Sequence, residues 1–388
     1  MPATQALKPP TPEVAETIAL RLTEWFHANK RDLPWRGADP FGIWVSEIML
    51  QQTQVATVIP YYDRFMQRFP TVEALAQSDI SDVLAHWAGL GYYARARNLH
   101  RAAIQVVERF QGVIPDTREE ILSLPGIGDY TSGAILSIAY NVSVPAVDAN
   151  VIRVVTRLFG IAGDPKSNAV ADTIRRSAAA IVPANNAGDF NQALMELGAL
   201  VCDPAEPQCE RCPLLSCCYA GNSDNPAALP ETTPGKAITA LTHACIVLRN
   251  PEGRMLLVQR PPHGLWGGLW EFPRVVCKPG EPPEAAARRA AFEVIGFEPE
   301  HLERLTVVKH AVTRFKITLH AYIAEDFPTA CWEQNEAESP YNPIEEAPTT
   351  RLLQRREMET LPFSAPQLLV RNALEQVQTT MQFDAGAI

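Results

Sequence analysis

No apolar run in the 388-residue chain approaches the roughly 18 residues that cross a bilayer. The start, MPATQALKPPTPEVAET, lacks a basic segment followed by an apolar stretch, so it does not read as a signal peptide. Positive charge is scarce: 34 Lys and Arg face 44 Asp and Glu, a net charge of −10, and neither half is a basic module. A nucleic-acid partner would therefore be held by a few placed cations, backbone N–H groups and helix N-termini. No internal repeat is evident. The eight cysteines are not spread as in a secreted disulfide scaffold. Five fall within residues 202–218, as in a metal site, and with the missing signal peptide they point to a reducing cytoplasm. What is present, 46% apolar and 20% charged residues, suffices for packed cores. The length suggests two or three domains.

Helical periodicity dominates the first 200 residues. It predicts helices over Glu13–Asn29, Ile43–Val58, two short ones within Thr71–Trp87, then Ala94–Gln111, Arg118–Ser123, Tyr130–Tyr140, Ala149–Phe159, Ala169–Ile181 and Asp189–Val201. A Pro- and Thr-rich stretch over 226–238 reads as a linker between domains at 12–225 and 239–375. Beyond it, two β-rich runs flank Asn250-Pro251-Glu252-Gly253, a hairpin signal. A helix at Pro283–Ile295 and strands near Leu305–His310 and Arg314–Ala324 make this half α+β. Phe327–Thr350, rich in Pro and Glu, is expected to be irregular.

The sharpest local signal is Cys202-x6-Cys209-x2-Cys212-x5-Cys218. Four thiolates at these separations can wrap one inorganic centre, either zinc or a cubane iron–sulfur cluster. Zinc ribbons pair two Cys-x2-Cys knuckles; the single knuckle here favours one [4Fe–4S] cluster, with Cys217 as the spare thiol. A second signal is Leu124-Pro125-Gly126-Ile127-Gly128 between two helices. Gly126 and Gly128 can turn backbone N–H groups toward a phosphate, although such turns also serve as plain helix connections. Asp148 precedes the helix at Ala149; an N-cap is its ordinary reading, and the helix dipole would keep it ionised.

Together, the helical hairpin with its Gly/Pro loop, the Asp and the cysteine spacing resemble the helix-hairpin-helix superfamily of DNA glycosylases. Arg31-Asp32-Leu33-Pro34-Trp35-Arg36, the stretch from Trp44 to Val55, and Gly89-Leu90-Gly91-Tyr92-Tyr93-Ala94-Arg95 are similar to the MutY branch, the adenine DNA glycosylases. The resemblance implies a mainly α, two-subdomain glycosylase region with an iron–sulfur loop, followed by an α+β Nudix-like domain. It implies excision of adenine opposite 8-oxoguanine or guanine in double-stranded DNA, by a monomer, with no membrane partner. The related endonuclease III branch holds a Schiff-base lysine where this chain has Tyr130. Tyrosine cannot form an imine, so the resemblance implies a monofunctional enzyme that leaves an abasic site. By the same match, Glu47 would protonate the departing base and Asp148 would stabilise the cationic sugar, a division of labour shared with glycoside hydrolases. Asn150 would orient Asp148, and Tyr130 would pack on the reacting nucleotide. Arg36 and Glu196 would surround the extruded adenine, Gln52 and Tyr92 would enter the base stack, and Leu90 would contact the DNA. Arg95, Arg97 and Arg101 are phosphate candidates or a solvated basic face.

In the second domain, the resemblance implies lesion recognition without nucleotide hydrolysis. Of a working Nudix box, Glu281, Arg289 and Glu293 remain, while Val275, Ala290 and Val294 replace its glycine and two glutamates. Mg²⁺ wants several hard oxygen ligands. The loop expected to touch the oxidised guanine reads Val312-Thr313-Arg314 after His310, with Thr313 keeping a hydroxyl.

Overall fold

The structure, a computed structural model, describes residues 10–233, 237–261, 266–312, 314–325, 327–328 and 349–384. The chain divides into two compact units. One comprises Met1–Ser78 and Arg97–Pro234; the other comprises Asp79–Ala96 and Gly235–Ile388. Thr313 and most of the expected irregular stretch lie outside the described residues.

Helices build the first unit: α1 (Pro12–Asn29), α2 (Pro40–Leu50), α3 (Val55–Arg68) and α4 (Val72–Ala76). After α5 (Ile80–Trp87), which groups with the second unit, come α6 (Ala94–Phe110), α7 (Arg118–Leu122), α8 (Asp129–Tyr140), α9 (Ala149–Phe159), α10 (Asn168–Ala179) and α11 (Ala187–Leu200). Local chemistry sets the starts. Thr11 caps α1 ahead of Pro12, and Asp39 caps α2 by accepting from the Gly42 N–H at 2.7 Å. From Phe41 to Met49 every residue of α2 is buried, and Thr131–Ser137 of α8 are too. Helices without a solvated face belong in a core. A neighbouring core joins Ile18, Leu22 and Phe26 of α1 to Val151, Val155 and Leu158 of α9 and to Phe190, Leu194 and Leu197 of α11. Cys202, Cys212, Cys217 and Cys218 pack against it, so the cysteine loop rests on a solid floor.

The helix expected over Ile43–Val58 is two helices. Between α2 and α3 the chain turns, and Gln52 takes a left-handed backbone at φ 58°. Neither Gly nor Pro marks that break. The expected linker is also more anchored than its composition suggests. Leu229 C=O accepts from Arg157 at 2.8 Å, and the Thr233 N–H donates to Asp164 at 3.1 Å.

The second unit is a layered α+β fold. One sheet has the order β4-β1-β6-β5, from β1 (Thr239–Leu248), β4 (Arg274–Val276), β5 (Glu303–Val312) and β6 (Phe315–Ala324). The other has β3-β2-β7, from β2 (Met255–Gln259), β3 (Trp270–Glu271) and β7 (Thr350–Leu353). β1 and β6 are parallel and in register from Thr239–Phe315 to Leu248–Ala324. Successive residues of β1 face opposite sides. Ala244, Ile246 and Leu248 pack on the alanines of α12 (Pro283–Ile295); Cys245 and Val247 pack with Phe272, Phe363 and Val370, the last on α13 (Ala365–Asp384). Burial on both faces explains the unbroken apolar run of β1. The expected hairpin at 250–253 is not one. β1 and β2 enter different sheets and share only a bridge between Arg249 and Met255.

Candidate active site and a thiol-lined pocket

Helices α2, α8 and α9 bring three expected residues together. Glu47 is not on a solvated helix face: it is 4% exposed. The Tyr130 hydroxyl donates to its Oε2, and it feels the charge of Asp148, which stands at the start of α9. Burial pushes the Glu47 carboxyl up to about 7; the Tyr130 bond opposes the rise and the nearby Asp148 adds to it. Burial, with both carboxylates beside it, holds Tyr130 well above the usual phenol range, so it remains a donor. With Oε2 occupied by that donor, Oε1 is the oxygen left to carry a proton.

Asp148 differs from expectation in one respect. It caps α9 as the sequence suggests, with Oδ1 accepting from the Val151 N–H at 2.7 Å. The helix terminus, however, does not dominate its titration. Burial is the larger influence and raises the carboxyl above the ordinary aspartate value, opposed by bonds from Val151 and Asn150 and by Arg153. Asn150 Nδ2 donates to Asp148 Oδ2 at 3.0 Å, so each carboxylate oxygen has one donor.

Glu196 and Arg36 meet, but in a closed arrangement. Glu196 accepts from the Arg31 backbone at 2.8 Å and from Nε and Nη2 of its guanidinium at 2.9 and 2.8 Å, and pairs with Arg36 at 3.0 Å. Burial drives the Glu196 carboxyl up, yet the bonds and charges of Arg31 and Arg36 bring it below its ordinary value. A bidentate arginine fixes a carboxylate's orientation as well as its charge.

The hairpin loop follows its chemistry. Gly126 has φ 81°, and a Cβ there would lie 2.6 Å from the Asn98 side chain. Gly128 is the N-cap of α8 and has open space where a Cβ would stand, leaving its backbone approachable. Gln52 is exposed on its left-handed backbone. Within the other unit Tyr92 is likewise left-handed, φ 49°, and 38% exposed, a strained backbone of the kind that clusters at functional sites. Arg95 lies over both Trp87 and Tyr92. Leu90, expected at the DNA, has a side chain that is 6% exposed.

Cys202, Cys209, Cys212 and Cys218 line one pocket together with Arg157. Cys217 does not line it; its thiol donates to the Leu214 carbonyl. Among the described residues, no three His, Cys, Asp or Glu side chains converge on a single-ion site. Arg157 Nη1 lies 3.3 Å from Cys202 Sγ, a cation beside a sulfur that becomes anionic on ligation. The donor set is soft and all-sulfur, and fits an iron–sulfur centre.

Comparison with known proteins agrees with this architecture. Residues 45–179 match the HhH-GPD superfamily of base excision DNA repair proteins, and residues 244–373 match the NUDIX domain. The chain is 38% identical to the adenine DNA glycosylase of Homo sapiens, over 80% of this chain and 67% of that protein. It is 40% identical to that of Arabidopsis thaliana, over 72% of this chain and half of that protein. It is 35% identical to that of Buchnera aphidicola subsp. Schizaphis graminum, over 66% of this chain and 74% of that protein. The chain belongs to the adenine DNA glycosylase family. As a DNA glycosylase of base excision repair, it is a hydrolase acting on N-glycosyl bonds.

For an adenine DNA glycosylase, two arginines went unnoticed in sequence. Arg31 is the bidentate partner of Glu196; the repeated arginine of Arg31–Arg36 was its signal. Arg153 donates to Asn150 Oδ1 at 2.9 Å, to the Gly198 carbonyl at 2.8 Å and to the Cys202 carbonyl at 2.7 Å, tying the Asp148–Asn150 pair to the cysteine loop. Gly198 permits this, since a Cβ there would lie 2.5 Å from that of Asn150. In the Nudix-like unit, Arg289 bridges Glu281 at 2.8 Å and Glu293 at 2.7 Å, so both retained carboxylates of the box are engaged by a cation.

Proposed function

We propose that this adenine DNA glycosylase excises adenine paired with 8-oxoguanine or guanine and leaves an abasic site without cutting the strand. The observation that carries the mechanism is the buried Glu47, with its carboxyl near 7 and Tyr130 bonded to one oxygen. A general acid works best with a pKa near the working pH. Glu47 gives its proton to a ring nitrogen of the departing adenine while the bond to C1′ breaks and its electrons leave with the base. Asp148, held by Asn150 and the Val151 N–H, faces the positive charge that develops on the sugar. Water then adds to C1′ and its proton passes to a carboxylate. Strand cleavage by imine chemistry would need an amine where Tyr130 stands, which supports the monofunctional reading.

Cys202, Cys209, Cys212 and Cys218 are the residues that would hold one [4Fe–4S] cluster, which when bound fixes the fold of their loop. Gly126, Gly128 and Gln52 on one unit, and Tyr92 on the other, are assigned to the DNA; Thr313 is assigned to the oxidised guanine and Arg314 to a phosphate. The enzyme is assigned as a cytoplasmic monomer, associated with the nucleoid through DNA.

Single-turnover incubation with a duplex holding adenine opposite 8-oxoguanine tests the reading. Strand breaks should appear only after alkali. Breaks without alkali, trapped by borohydride, would replace it with a lyase, and binding without base release would replace it with a non-catalytic DNA-binding role.

A further inference from the structure

Tyr130 also walls a cavity of about 300 Å³, the lower end of the size range of ligand pockets (roughly 300–1,000 Å³). Val147, Ile152 and Ala171 supply apolar surface, while Arg118 of α7, Arg175 of α10 and the carboxylate of Asp129 on α8 stand among the lining residues. Neither Glu47 nor Asp148 lines this cavity, so it is not the chamber of the reacting bond. It is nevertheless adjacent to that chamber, because Tyr130 reaches Glu47 with its hydroxyl and Val147 directly precedes Asp148. Both arginines are open to exchange. Arg118 meets Asp129 at 2.6 Å and Arg175 meets Asp172 at 3.7 Å, with all four side chains about half exposed. Exposed pairs of this kind contribute little to stability, so an incoming phosphate displaces them at little cost.

We propose that this cavity seats the nucleotide next to the reacting one on the adenine strand, with its sugar or base against the apolar wall and its phosphate on Arg118 and Arg175. The proposal rests on the adenine-glycosylase reading. Apolar walls together with two cations, against one carboxylate at Asp129, match a nucleotide and not a free anion, and the shared Tyr130 wall limits the occupant to the immediate neighbour.

The test is binding of the full-length, cluster-loaded protein to a duplex with a non-cleavable fluorinated deoxyadenosine opposite 8-oxoguanine. Phosphates of the adenine strand are replaced one at a time by neutral methylphosphonates. For the wild type, one or two replacements beside the target should weaken binding about tenfold, the worth of one charged phosphate contact. In Arg175→Gln the same replacements should cost about threefold or less, because only the Arg118 half of the contact remains. Ala171→Phe, which fills the cavity without changing charge, should weaken binding to the unmodified duplex about fivefold or more. Arg176→Gln is the control: Arg176 neighbours Arg175 on α10, is 73% exposed and does not line the cavity, so it should keep the wild-type pattern. Equal losses in wild type and Arg175→Gln at every position would overturn the proposal, as would wild-type binding by a folded Ala171→Phe. Adenine release from an ordinary duplex is measured on the same preparations. Its absence from the wild type would remove the functional reading, while the phosphate coupling is judged on binding alone.

Discussion

Replacing Glu47 by Gln isolates the cost of keeping an acid in this core. Gln preserves the shape and can still accept from Tyr130, but it does not titrate. Glu47 rises from its ordinary 4.5 to about 7, and a rise of that size corresponds to about 3 kcal/mol. Its sign follows from linkage. The folded protein holds the Glu47 proton more tightly than the unfolded chain, so the stabilisation is complete below pH 4.5 and is lost as pH rises through 7. Wild type therefore loses about 3 kcal/mol across that window through this residue, and Glu47→Gln does not. For a helical unit of this size, that is roughly 6–12 °C in Tm. Thermal unfolding of both proteins at half-unit steps from pH 4.5 to 8 measures it. The Tm of the variant minus that of wild type should climb steadily to pH 7 and then level off. Parallel curves would mean that Glu47 titrates as a solvated carboxylate, and the argument from burial would fail.

Other outcomes follow from the same contacts. Asp148→Asn keeps the cap to Val151 but removes the negative charge; base release should fall at least about a thousandfold while mismatch binding persists, read by single-turnover kinetics and gel shift. Tyr130→Phe removes a bond that lowers the Glu47 pKa, so the fall in activity at high pH should move to higher pH; an unchanged profile would detach Tyr130 from the acid. Cys212→Ser should lose bound iron by elemental analysis, whereas Cys217→Ser should retain it, since of these two only Cys212 lines the pocket.

Local signals were legible in sequence and distant pairings were not. An Asp before an apolar helical period announces an N-cap, and α9 begins at Ala149 as expected. The Glu47–Tyr130 bond spans 83 residues and the Arg31–Glu196 pair spans 165, separations that no periodicity encodes. Strand partners failed for the same reason. β1 and β2 read as a hairpin because the turn chemistry between them is right, but β1 gains more by burying both faces beside β6. The break at Gln52 left no mark because a left-handed glutamine is disfavoured rather than forbidden. Arg153 was invisible because its role depends on three acceptors drawn from α9, α11 and the cysteine loop.

The pH dependence of single-turnover adenine release is the most direct test of a protonated acid at Glu47. With wild type on a duplex holding adenine opposite 8-oxoguanine, the rate should fall as pH rises through about 7, and Glu47→Gln should be slower by at least a hundredfold, roughly, with that fall abolished. A wild-type rate that is level from pH 6 to 9, or a Glu47→Gln enzyme that retains both rate and profile, would contradict the account.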